Sequence, residues 1–105
     1  METEFLKVTQ ESIEKTCDII KSGDVAAIPT ETVYGLFADA TKSEACAKIF
    51  MAKDRPQDNP LIVHICDYDM LREVAAEVPE DAIKLAEAFW PGPLTMILKK
   101  SDLIP

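Results

Sequence analysis

Apolar residues along the chain change their period several times, and each change marks an element. From Thr9 to Lys21 they recur at helical spacing, with Ile13, Cys17 and Ile20 on one face. Thr9 suits the N-cap of that helix and Gly23 its stop. Val25-Ala26-Ala27-Ile28 is a short unbroken apolar run of the buried-strand type. A loop is expected over residues 29–40. Thr41-Lys42-Ser43-Glu44 then has the form of a capping box, and Cys46, Ile49, Phe50 and Lys53 continue a helical stripe. That helix must end before Pro56, because a proline disfavours helix in the residue before it.

Leu61-Ile62-Val63-His64-Ile65 reads as a second buried strand, rich in β-branched residues. Asp67 or Asp69 caps a short helix bearing Leu71, Val74 and Ala75. Pro79 suits the first turn of another, carrying Ala82, Leu85, Ala86 and Phe89. Trp90-Pro91-Gly92-Pro93 breaks that helix, and Leu94-Thr95-Met96-Ile97-Leu98 is a third apolar strand. The expected order is α-β-α-β-α-α-β, which predicts an α/β layer structure. No repeat or linker interrupts it. Asp102-Leu103-Ile104-Pro105 reads as a sequence still in progress, since nothing closes the third strand.

The length of 105 residues suits one domain with a modest core. A hydrophobic share of 48% argues against disorder. No apolar run approaches membrane-spanning length, and the acidic start Met1-Glu2-Thr3-Glu4 is unlike a secretory signal, so a cytoplasmic location is expected. Acids outnumber bases 19 to 11, a net charge of −8. Nucleic-acid backbones are gripped by clustered cations, so a small anionic ligand in a local basic cleft fits better than a long polyanion. Cys17, Cys46 and Cys66 are widely spaced in apolar contexts without a Cys-x-x-Cys. They read as buried free thiols rather than metal ligands or a disulfide framework.

Candidate chemistry gathers in two segments. Thr30, Thr32 and Tyr34 leave the first strand at a loop closed by Gly35, and Lys53 and Arg55 stand just past a helix, beside Pro56 and Pro60. Paired ammonium and guanidinium groups hold phosphate, and hydroxyls fix a small polar substrate. Each feature also has a plainer reading. Cations favour a helix C-terminus, and threonines commonly satisfy backbone groups in turns, with Gly35 supplying a positive φ. His64 lies opposite Val63 and Ile65 by strand alternation, facing either a cleft or a packed neighbour. No Ser-His-Asp set, metal cluster, Walker loop or dinucleotide fingerprint is present. No side chain is therefore assigned as a catalytic acid, base or nucleophile. Phosphoryl or nucleotidyl transfer, which needs mainly positioning and charge stabilisation, fits this inventory.

Three motifs occur in order: PTETVYGL at residues 29–36, KDRPQDNPL at 53–61 with His64 following, and WPGPLT at 90–95. Together they resemble the YrdC/Sua5 family, the threonylcarbamoyl-AMP synthases. The resemblance implies a twisted mixed α/β sheet with flanking helices, YrdC/RibB-like, around a concave basic cavity. It implies an enzyme taking L-threonine, bicarbonate and ATP, with Mg2+ accompanying ATP. The products would be threonylcarbamoyl-AMP and pyrophosphate, toward the t6A37 modification of tRNA alongside other proteins of that pathway. By position, Thr32 and His64 match threonine-contacting residues, Arg55 and Asn59 match ATP-contacting ones, and Lys53 matches the accompanying lysine. Thr30 and Tyr34 are candidate lining residues from the loop reading itself, not from the resemblance.

Family domains run further, through another strand and a Ser-x-Asn motif. Residues 1–105 are therefore expected to be the N-terminal, incomplete portion of a YrdC-like domain, apparently truncated. An exposed sheet edge is expected to make such a chain either oligomerise, as a homo-oligomer through that edge, or unfold readily. Two other functions remain open: a double-stranded RNA or tRNA-binding module without catalysis, and a carbamoyl-transfer domain of the hydrogenase-maturation type. The acidic charge opposes the first, and the cysteine spacing opposes the second.

Overall fold

A computed structural model describes residues 3–53 and 61–105 of the chain. The architecture is α/β, with four helices and a small antiparallel sheet among the described residues. The chain divides into two compact units, Met1–Pro56 and Gln57–Pro105.

In the first unit, helix α1 spans Gln10–Lys21, and its ends are set by local chemistry. The Thr9 hydroxyl accepts from the Ser12 amide at 3.1 Å, and the Ser12 hydroxyl accepts from the Thr9 amide at 2.9 Å. This reciprocal pair is a capping box with serine at its third position. At the other end Gly23 has φ +92°, its N–H donates to the Ile20 carbonyl, and the Asp24 N–H reaches the Ile19 carbonyl. That is a Schellman stop, and the left-handed φ is why glycine stands there. The expected apolar face of α1 is not core. None of its residues is buried; Ile13 is 47% exposed and Cys17 is exposed.

Strand β1, Ala26–Ile28, pairs antiparallel with β2, Gly35–Phe37, in the register Ala26 with Phe37 and Ile28 with Gly35. The loop expected over residues 29–40 thus contains a strand. A connection as short as residues 29–34 permits an antiparallel hairpin but no parallel crossover. Gly35 lies inside β2 and is not a positive-φ glycine. A Cβ there would stand 2.8 Å from the Phe37 ring, so the position is kept small by a neighbour rather than by a turn.

Helix α2, Ser43–Lys53, buries Ala45, Ile49 and Phe50. Its expected capping box is replaced by a turn on Asp39, whose carboxylate accepts from the Thr41 amide at 2.9 Å and the Thr41 hydroxyl at 2.6 Å. The threonine oxygen faces back to Asp39, as an Asx turn favours.

In the second unit, α3 spans Tyr68–Val74, with Asp67 accepting from the Met70 amide at 2.8 Å as N-cap. Helix α4 spans Glu80–Phe89 directly after Pro79. Ala82 and Ala86, one turn apart, are its buried residues, whereas Leu85 and Phe89 are 44% and 59% exposed. The Trp90–Pro91 peptide is cis, and the Trp90 indole donates to the Leu94 carbonyl at 3.0 Å.

Residues 61–65 and 94–98 do not form the two further strands expected of them. Their exposure still alternates: Leu61, Val63 and Ile65 are half-buried while Ile62 and His64 are exposed, and Leu94, Met96 and Leu98 are half-buried around exposed Thr95 and Ile97. Period-two patterning is a property of one segment, whereas a strand also needs a paired neighbour. The pairing found lies just beyond, as a single antiparallel bridge between Ala75 and Lys100. It is flanked by the Ala76 amide on the Lys99 carbonyl and the Ser101 amide on the Val74 carbonyl, each at 2.8 Å.

Candidate functional site

The hairpin places residues 29–34 as a loop between β1 and β2. Thr30 is its centre. Its hydroxyl donates to the Val33 carbonyl and accepts from the Thr32 amide at 3.3 Å. The two threonine hydroxyl oxygens stand 3.4 Å apart. Thr30 is half-buried, and Thr32 is exposed. The sequence left open whether these threonines serve the turn or a ligand. Thr30 serves the turn, and the loop it shapes holds Thr32 outward.

Tyr34, 70% exposed, closes the loop. A groove of about 360 Å3 opens beside it within the first unit, lined by Leu6, Val8, Ile13, Cys17, Ile28 and Tyr34 among others. The partly exposed stripe of α1 borders this groove instead of a core. A phenol and apolar side chains there suit a small ligand carrying both polar and aliphatic groups.

Lys53 is the last residue of α2 and is exposed, so its cation stands where the helix dipole favours it. Arg55 and Asn59 lie outside the described residues. In the second unit, His64 is exposed between half-buried Val63 and Ile65, the alternation expected for it. Among the sequence-selected residues, Thr30 and Thr32 are joined directly, with Tyr34 two residues further along the same loop.

Two features escaped the sequence reading. One is the Val33 carbonyl as acceptor for Thr30, a backbone group without a residue-type signal. The other is Asp39, whose carboxyl is held below the usual aspartate range by the Thr41 hydroxyl, then by the Thr41 amide; burial opposes them less strongly, and the Lys42 charge adds the smallest effect, a further lowering. The Asp39-Ala40-Thr41 spacing of an Asx turn is the signal that could have revealed it.

The cysteines are free, but only in part as expected: Cys17 and Cys66 are exposed, and Cys46 is half-buried. Burial, then the Asp39 carboxylate, pushes the Cys46 thiol up, which disfavours the thiolate a nucleophile needs. Among the described residues, no group of three or more His, Cys, Asp or Glu could hold a metal ion, and no helix is long and apolar enough to cross a membrane.

Residues 18–105 match the Sua5/YciO/YrdC family model, which carries the description telomere recombination. The chain is 48% identical over 99 residues to the threonylcarbamoyl-AMP synthase of Pyrococcus abyssi, covering 94% of this chain and 29% of that protein. It is 46% identical over 96 residues to the Bacillus subtilis threonylcarbamoyl-AMP synthase, covering 91% and 28%. The crystal structure of P. abyssi Sua5 complexed with L-threonine superposes with a TM-score of 0.89 at 47% identity, over 95% of this chain and 29% of that one. The chain therefore spans under a third of the length of these relatives.

Proposed function

The chain belongs to the Sua5/YciO/YrdC family, and on that premise we propose that it supplies part of a threonylcarbamoyl-AMP synthase site, binding L-threonine and ATP. The observation that carries this reading is the 48% identity, across 94% of the chain, with a protein of that name.

The reaction joins the threonine nitrogen to the carbon of bicarbonate with loss of water, giving a carbamate. A carbamate oxygen then attacks the α-phosphorus of ATP as the bond to pyrophosphate breaks. Threonylcarbamoyl-AMP, an intermediate for tRNA modification, and pyrophosphate are the products, and Mg2+ enters with ATP as part of the substrate. Such chemistry asks the protein for orientation and for cations where charge develops, more than for a tuned nucleophile.

In this reading Thr32 is a threonine contact, supported by its exposed place on the hydrogen-bonded hairpin loop. Tyr34 borders the same site, beside the groove. Lys53, Arg55 and Asn59 hold the nucleotide, with Arg55 taking the charge that accumulates on the departing pyrophosphate. The threonine role of His64 rests on its position after the KDRPQDNPL motif.

Calorimetric titration tests the substrate assignment. Thr32→Val deletes the hydroxyl and keeps the shape, so L-threonine should bind about tenfold more weakly while ATP affinity holds. Unchanged threonine affinity, or equal weakening of both ligands, would remove Thr32 from the site. In a version carrying the full length of the family protein, Arg55→Ala should slow threonine- and bicarbonate-dependent pyrophosphate release by roughly 10²–10³, the usual loss for one preorganised donor. A drop below about threefold would exclude Arg55 from that role.

A further inference from the structure

The Thr30 hydroxyl is engaged within its own loop. Its single proton is committed to the Val33 carbonyl, and one lone pair receives the Thr32 amide. A hydroxyl has one donor and two acceptor sites, so toward the Thr32 hydroxyl, 3.4 Å away, Thr30 can act only as an acceptor. A ligand at Thr32 therefore meets a side chain whose neighbour can receive a proton but not give one. The Thr30 methyl lies 3.6 Å from where a Cβ on Gly35 would stand. One half-buried side chain thus ties three successive features together: the start of the loop, the amide of Thr32 and the carbonyl of Val33.

We propose that Thr30 is a positioning residue for Thr32, pinning the loop so that the Thr32 hydroxyl stands ready for the substrate amino acid. The proposal rests on the reading of Thr32 as a threonine contact. It differs from a lining role for Thr30, because the hydroxyl acts through the backbone of residues 32 and 33 and not through the ligand. A displacement of about 1 Å in a positioning group is enough to cost 10²-fold in activity, so a loop held by one hydroxyl is sensitive to its loss.

The test compares Thr30→Val, which deletes the hydroxyl, with Thr30→Ser, which keeps it. Thr30→Ala serves as the hydroxyl-free variant if Thr30→Val does not fold. Amide hydrogen exchange followed by NMR without ligand should be faster at Thr32 by about tenfold in the hydroxyl-free variant and unchanged in Thr30→Ser. L-Threonine affinity, measured by calorimetry, should fall about tenfold in the former, with ATP affinity unchanged, and be restored in the latter. Thr32 exchange at the parent rate in the hydroxyl-free variant would overturn the positioning role. So would equal loss of threonine affinity in Thr30→Ser. Faster exchange with threonine affinity intact would overturn the link to substrate. If Thr32→Val also binds threonine normally, that failure belongs to the site assignment and not to the pinning of the loop.

Discussion

Lys42, just before α2, donates from its ammonium to the carbonyl of Lys21, the last residue of α1, at 2.6 Å. Lys48 reaches the Gly23 carbonyl in the same region at 3.0 Å, with Asp24 beside it at 3.9 Å. Carbonyls at a helix C-terminus lack intrahelical partners, and cations there also meet the negative end of the dipole.

Lys42→Met should therefore destabilise the first unit by about 1 kcal/mol, the usual worth of such a bond. Lys48→Met should cost less, since its bond is longer and its residue exposed where Lys42 is half-buried. Urea denaturation followed by helical circular dichroism gives the comparison. A larger effect at Lys48 would show that the two lysines do not hold α1 in this way.

Gly92 tests the WPGP turn. A Cβ at this position would stand 2.6 Å from the Phe89 carbonyl oxygen, a backbone atom that cannot swing aside. At Gly35 the obstacle is the Phe37 ring, which can rotate. Gly92→Ala should thus cost about 1–3 kcal/mol, more than Gly35→Ala. Trp90 fluorescence reports the first, and circular dichroism reports the second. The reverse order would mean that the turn after α4 yields more readily than the hairpin.

What could be read in the sequence was what a few neighbouring residues decide alone. Thr9 and Gly23 bound α1 where the pattern placed its ends, Asp67 caps α3, and Pro79 precedes α4. The α/β class follows from such signals. β2 was not legible, because Gly35-Leu36-Phe37 is too short to show a period and exists through pairing with Ile28 and its neighbours. The reverse happened at residues 61–65 and 94–98, where alternation is present without the expected strands.

The candidate site divides in the same way. The residue types of Thr30, Thr32, Tyr34, Lys53 and His64 were visible, and the motif spacing pointed to the family to which the chain belongs. The division of labour between the two threonines was not visible, because it depends on where the Val33 carbonyl points. The exposure of Cys17 was equally hidden. An apolar neighbourhood in sequence says nothing about whether a helix face meets a core or a groove.

Asp39 makes acid stability a test of the turn before α2. The Thr41 hydroxyl and amide bond to its ionised form, and the Lys42 charge favours that form further, so its folded pKa lies below the ordinary aspartate value. The unfolded chain then binds the proton more readily than the folded one, and stability rises with pH across that interval. The contribution is fully present above the unfolded pKa and is lost as pH falls through the folded pKa. Asp39→Asn keeps an acceptor oxygen but removes the charge, so it should lower the melting temperature at neutral pH. The gap from the parent chain should close as the medium is taken below the usual aspartate range. Thr41→Val, which removes the strongest of these interactions, should move the Asp39 carboxyl upward in an NMR titration. A melting-temperature gap that stays constant from neutral to strongly acid pH would show that the carboxylate charge does not support this turn, leaving the Asx geometry alone to start α2.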